Sequence, residues 1–125
     1  FTVNGFKAKV ISYNKNSDWA LVACDNLKTL KAFRVHSKEL ELLEKVYSIG
    51  WHFGQVKSMS LGHVSNISND GYVTTTALNG GCSGGPLLNQ EFEVCGINKA
   101  IMSRYGDWAG VSYHIKITEV DYEGK

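Results

Sequence analysis

From Val46 onward the chain is cut into six short apolar runs, "VYSIG", "SLGHVSNIS", "YVTTTAL", "PLLN", "FEVCGINKA" and "WAGVSYHIKI", separated by clusters of Gly, Asn, Asp and Ser. Runs of that length and alternation read as half-buried strands, and the polar clusters between them read as turns. Six such strands in succession are enough to close a small antiparallel barrel. The chain ahead of them is thinner. "FTV" and "FKAKVISY" flank Asn4-Gly5, a hairpin signal because both turn positions need positive φ, and the turn Asn14-Lys15-Asn16-Ser17 leads into "DWALVAC". Three strands cannot close a barrel, and they leave a sheet edge that a missing segment or another chain must cover. Residues 26–44, "NLKTLKAFRVHSKELELLE", mix charges with apolar residues and read as a connector holding a short strand and a turn of helix. The expected organisation is all-β: 1–25 the C-terminal part of a first barrel, 26–45 the connector, 46–118 a complete second barrel, and 119–125 a tail.

Composition narrows the partners. With 125 residues, 43% hydrophobic and 20% charged, the chain suits one core, and none of its apolar runs approaches the length of a membrane span. The net charge of +1 comes from scattered lysines, which leaves no basic footprint for nucleic acid or an anionic membrane surface. Cys24, Cys82 and Cys95 are an odd set and read as reduced, mostly buried thiols rather than a disulfide framework. Neither a C-x-x-C nor an H-x-x-x-H spacing occurs, so no metal and no other cofactor is expected. The N-terminal "FTVNGFKAKV" has neither the basic start nor the apolar run of a signal peptide.

Chemistry concentrates in Asn79–Leu88, "NGGCSGGPLL", which places four glycines around one serine, one cysteine and the only proline. Taken alone, a glycine cluster is most often a turn. It can also build a cradle for a nucleophile. Acyl transfer develops negative charge on a carbonyl oxygen, and main-chain N–H groups aimed at that oxygen stabilise it. Gly81 can take the backbone conformation that brings its N–H and that of Ser83 together as an oxyanion hole. Gly84 and Gly85 let the next strand pass close behind, and Pro86 sets the chain direction into it.

Through these motifs the chain resembles the trypsin-fold serine proteases, and within them the HtrA/Deg-like group. Members carry a nucleophile loop N-x-G-N-S-G-G-P-L followed by a strand V-x-G-I-N; here Asn79, Gly81, Ser83, Gly84, Gly85, Pro86 and Leu87 precede Val94, Gly96, Ile97 and Asn98. "AKVISYNKNSDWALVAC" is similar to the segment headed by the triad aspartate, and "GVSYHIKI" to the strand closing the specificity pocket. The resemblance implies two six-stranded antiparallel barrels of the trypsin type, with the first only partly present. It implies a serine endopeptidase in which Ser83 attacks, Asp18 orients a histidine, and Gly81 and Ser83 form the oxyanion hole. Ala77, Leu78 and Gly110 would line a pocket for small or medium apolar side chains, since no acid stands at Ala77 to pair a basic one. Asn98, Lys99 and Ala100 would form the edge on which an extended polypeptide substrate pairs. The family often trimerises, which leaves a homo-oligomer among the expected partners.

The triad order in this family is His, Asp, Ser, yet His36, His52, His63 and His114 all follow Asp18. The base is therefore expected on a missing N-terminal segment or a complementary chain; otherwise the chain is a protease-like module that binds peptides without cleaving them. Asp18 by its position alone is also an ordinary turn residue. Cys82 departs from the family's Asn. A rival register makes it the nucleophile, although viral cysteine proteases of this fold place the thiol directly before Gly-Gly, where this chain has Ser83. Each of the four histidines otherwise reads as a surface or satisfied core residue, and His114, on the closing strand, alternatively points into a pocket favouring acidic or amide groups.

Overall fold

The computed structural model describes residues 1–3, 5–25, 31–36, 38–52, 56–78, 81–104 and 107–120, with 52, 101–104 and 107–109 as backbone only. Asn4, Asn79 and Gly80, part of the connector and the end of the tail lie outside the described residues. The chain divides into two compact units, Phe1–Ala32 with Glu119–Lys125, and Phe33–Thr118.

The first unit holds two hairpins. Strands β1 (Thr2–Val3) and β2 (Phe6–Lys7) pair Thr2 with Lys7 and Val3 with Phe6, with Gly5 at φ +82° between them. Strands β3 (Lys9–Asn14) and β4 (Trp19–Ala23) form the second hairpin. Its turn is organised by Asn14, whose Oδ1 accepts the Ser17 N–H at 2.9 Å. Asp18 closes that turn at φ +60°, a left-handed conformation that Asp tolerates better than most residues. Val10, Ile11 and Tyr13 of β3 are exposed.

The second unit is a closed six-stranded barrel: β5 (Lys45–His52), β6 (Val56–Ile67), β7 (Gly71–Thr74), β8 (Pro86–Leu88), β9 (Val94–Arg104) and β10 (Asp107–Lys116), in ring order β10-β7-β6-β5-β8-β9. Every ladder is antiparallel. The six apolar runs of the sequence are these six strands. Alternation along them turns Val46, Val64, Tyr72, Leu87 and Cys95 into one apolar cluster, on which Ile67 packs. Burying each of the larger side chains contributes about 1.5 to 3 kcal/mol.

The connector supplies Leu40 to the same cluster, and the Leu40 N–H donates to the Tyr72 hydroxyl at 3.0 Å. Lys116 pairs with Glu39 and lies over the Tyr72 ring. Val35 forms a parallel bridge with Val94.

Two strands depart from their apolar runs at one end. "YVTTTAL" pairs only through Gly71–Thr74, because Thr76 turns into the barrel interior and the Ala77 N–H is taken by Ser60 Oγ at 2.7 Å. β9 starts at Val94 rather than Phe92, because Asn89 Oδ1 captures the N–H groups of Glu91 and Glu93 in a local turn that leaves Phe92 at φ +58°. In the other direction β9 and β10 run on as a long hairpin to Arg104 and Asp107.

Candidate active site

Beyond β7 the described chain continues to Leu78 and resumes at Gly81. Thr76 and Leu78 are buried while Ala77 between them is exposed, the alternation of an extended chain. Gly81 has φ +95°. The segment Cys82–Gly85 is a tight turn, closed by the Gly85 N–H on the Cys82 carbonyl at 3.2 Å, with Gly84 at φ +90°. Positive φ at the third position is the requirement of a type II turn, and glycine meets it without a Cβ penalty. Ser83 therefore stands exposed at the leading corner.

The base of the turn is pressed on β5. A Cβ on Gly85 would lie 2.1 Å from the Ile49 carbonyl oxygen, and one on Gly50 would lie 2.8 Å from Cys82 Cα. Cys82 is 1% exposed, so its thiol faces the barrel while the next residue faces solvent. That geometry disfavours the thiol as the attacking group.

β9 holds the other side. Gly84 N–H donates to the Asn98 carbonyl at 2.7 Å, and Asn98 N–H donates to the Gly85 carbonyl at 2.8 Å. Ser83 Oγ donates to the Lys99 carbonyl at 2.8 Å. Lys99 is a bulge: the register with β10 passes from Tyr113 opposite Ala100 to His114 opposite Asn98. The extra residue turns its carbonyl toward the loop. Among the described residues, no hydrogen bond occupies the N–H of Gly81 or of Ser83.

Of the residues expected at the site, the structure brings Ser83, Asn98 and Lys99 together, with Ala100 next along β9. The main chain of Asn98 bonds to Gly84 and Gly85 of the turn, and its side chain is buried. Gly110, at φ +85°, sits where β10 bulges between Trp108 and Val111. Asp18 belongs to the other unit and is exposed. A groove of about 810 Å³ runs along β2–β4, lined by Lys7, Ala8, Lys9, Val10, Ile11, Ala23 and Asp25, and includes none of the predicted site residues.

What sequence reasoning missed is the polar half of the barrel interior. Ser48, Thr74, Thr76, Asn98, Ser112 and His114 are all 2% exposed or less. His114 Nδ1 lies 2.8 Å from Asn98 Oδ1, and its Nε2 lies 2.7 Å from Thr74 Oγ1. Since a carbonyl oxygen can only accept, Nδ1 carries the proton and Nε2 accepts from Thr74. Ser48 donates to Thr76 at 2.8 Å, and the Thr76 and Thr74 hydroxyls lie 2.8 Å apart. Asn98 Nδ2 donates to the Ile49 carbonyl at 3.1 Å. Burial pushes His114 down to about 3, so the ring is neutral. The core reading of His114 is the one that matches these contacts. Ser112 and His114 are two residues apart on β10, and Thr76 lies two beyond Thr74 in the extended chain that follows β7, a spacing that puts each pair on one face.

Residues 3–97 match the family described as trypsin-like peptidase domain. The chain is 41% identical over 120 residues to a probable periplasmic serine endoprotease DegP-like of Hahella chejuensis, covering 88% of this chain and 25% of that protein. It is 40% identical over 121 residues to the protein of that description in Pseudomonas putida, covering 89% of this chain and again 25% of the relative. Among solved structures, the HtrA-type protease AlgW with a decapeptide superimposes with a TM-score of 0.79 at 27% identity, over 91% of this chain and 38% of that one. AlgW with a tripeptide gives 0.79 at 27% identity, over 90% and 40%. The chain thus spans about a quarter of the length of the curated relatives it matches.

Proposed function

The chain belongs to the trypsin-like peptidase family, among its HtrA-like serine proteases, and from that premise we propose that it is the nucleophile-bearing part of a serine endopeptidase. The observation that carries this reading is the turn itself: Ser83 exposed at its corner, with Gly81 and Gly84 at positive φ and the loop bonded to β9 on one side and packed on β5 on the other. In the proposed reaction Ser83 Oγ attacks the scissile carbonyl carbon and its proton passes to an imidazole. The tetrahedral oxyanion is held by the N–H groups of Gly81 and Ser83. The amine then leaves with the proton from the imidazole, and water hydrolyses the ester on Ser83 by the same steps.

Asp18 is proposed to orient that imidazole, whose place in the family order is ahead of Asp18. The base would come from a segment outside this sequence that completes the first of two barrels. Exposed Val10, Ile11 and Tyr13 on β3 support such a covering segment. The substrate would be a polypeptide paired along β9 from Lys99 to Ala100, with Ala77, Leu78 and Gly110 around a small apolar side chain. The peptides held by AlgW support that ligand class. No metal or cofactor enters this reaction.

One observation favours a second reading, a peptide-binding module without catalysis: the Ser83 hydroxyl donates its hydrogen bond to the Lys99 carbonyl rather than to a base among the described residues. A fluorophosphonate probe separates the two. It should label Ser83 of the folded full-length protein and leave Ser83→Ala unlabelled; a folded sample that resists the probe overturns the protease reading.

A further inference from the structure

The Ser83 loop is held by β9 through two consecutive residues. Asn98 takes Gly84 and Gly85 by its main chain, and Lys99 takes the Ser83 hydroxyl by its carbonyl. The placement of Asn98 therefore sets the placement of the loop.

Asn98 is itself anchored from inside the barrel. Its amide nitrogen donates to the Ile49 carbonyl, in the same narrow space where a Cβ on Gly85 would lie 3.2 Å from that nitrogen. Its amide oxygen takes the Nδ1–H of His114, directly opposite on β10. An amide can turn end for end, and the Ile49 carbonyl and the His114 donor together select one orientation: reversed, an oxygen would face an oxygen at Ile49 and an N–H would face an N–H at His114. With the His114 proton held on Nδ1 by the Asn98 oxygen, Nε2 is left to accept from Thr74 on the far side. Thr76 and Ser48 continue the chain of hydroxyls behind Thr74.

We infer that His114 is a positioning residue for the nucleophile: its Nδ1–H fixes the Asn98 amide, and Asn98 fixes the turn that carries Ser83. His114 touches no reacting atom and takes no proton from Ser83. Its role rests on the reading of Ser83 as the attacking group, and extends it to a histidine outside the triad.

Two substitutions separate positioning from core packing. The amide nitrogen of Asn lies as many bonds from Cβ as His Nδ1, and that of Gln as many as Nε2. His114→Asn thus keeps a donor toward Asn98 and gives up Thr74, while His114→Gln keeps a polar partner for Thr74 and gives up Asn98. Each leaves one buried partner unmet, so both should unfold at similarly reduced temperatures. In the full-length protein, fluorophosphonate labelling of Ser83 should fall about tenfold or more in the Gln variant, the equivalent of one lost hydrogen bond, and stay within about threefold of wild type in the Asn variant. Equal rates in the two variants, or a Gln variant at the wild-type rate, overturn the inference.

Amide hydrogen exchange at Gly84 gives a readout independent of chemistry. Its N–H, bonded to the Asn98 carbonyl, should exchange about tenfold faster in the Gln variant and at the wild-type rate in the Asn variant. Unchanged exchange in both overturns the positioning role. A wild-type protein that takes no label counts against Ser83 as nucleophile, and the exchange measurement then still decides the role of His114.

Discussion

Ser83 Oγ and the main-chain carbonyl of Lys99 are joined by a 2.8 Å hydrogen bond, which ties the exposed corner of the glycine turn to the bulge in β9. The bond is solvent-accessible and between neutral groups, so its net worth is about 1 kcal/mol or less. Ser83→Ala should lower unfolding stability by no more than that while removing all labelling by an active-site probe. A loss of stability several times larger, measured by urea unfolding, would mean that the hydroxyl is part of the scaffold.

Adjacent glycines in the turn should respond differently to the same change. Gly84→Ala meets open space but keeps a positive φ, and should cost about 1 to 2 kcal/mol. Gly85→Ala places a methyl 2.1 Å from the Ile49 oxygen, and a backbone carbonyl in a closed barrel has little room to yield. Its cost should reach or pass the roughly 3 kcal/mol upper range for overpacking. Denaturant midpoints of the two variants test this, and the reverse order would contradict the packing of the loop on β5.

Acid should destabilise the barrel through His114. Burial holds the folded-state value near 3, below the ordinary 6.5, and the hydrogen-bonding groups around the ring, Asn98, Thr74 and Thr76, are all uncharged. Between those values the unfolded chain takes up a proton that the folded chain does not. The contribution is thus fully present above about pH 6.5 and is lost as pH falls toward 3, on the order of a few kcal/mol at the limit. Urea unfolding at pH 7, 5 and 4 should show a steeper acid loss for wild type than for His114→Asn. Parallel slopes would remove His114 from the account.

Cys95 should be inert to alkylation in the native protein. Burial pushes its thiol up to about 12, and the neighbouring Glu44 carboxylate adds to that shift. The reactive thiolate is then scarce at pH 8. Peptide mapping after iodoacetamide should find Cys24, which is half-buried, modified first, with Cys95 and the buried Cys82 modified only in urea. Rapid native modification of Cys95 would contradict its place in the core.

The barrel strands were legible in the sequence because the signal for them is local. Val46–Gly50, Tyr72–Thr74 and Val111–His114 alternate between faces, and glycines and asparagines mark where the chain must turn. The Ser83 turn was legible for a related reason, since only glycine takes positive φ without strain. Local capture by Asn89 was harder to see: "FEVCGINKA" reads as continuous strand until the Asn89 side chain is found holding Glu91 and Glu93.

His114 marks the boundary between the two kinds of information. Its sequence neighbourhood says only that it lies on a strand. That it faces Asn98 depends on the bulge at Lys99, which shifts the β9–β10 register by one residue, and a shift of one exchanges the two faces. The bulge also turns the Lys99 carbonyl toward Ser83 and commits the main chain of Asn98 to the loop. The sequence alone determined the strands, the turn and the serine at its corner, because backbone preference and face alternation act over a few residues. Which groups hold that serine was decided only when strands distant in sequence closed into a barrel, because register is set by the packing of the whole ladder.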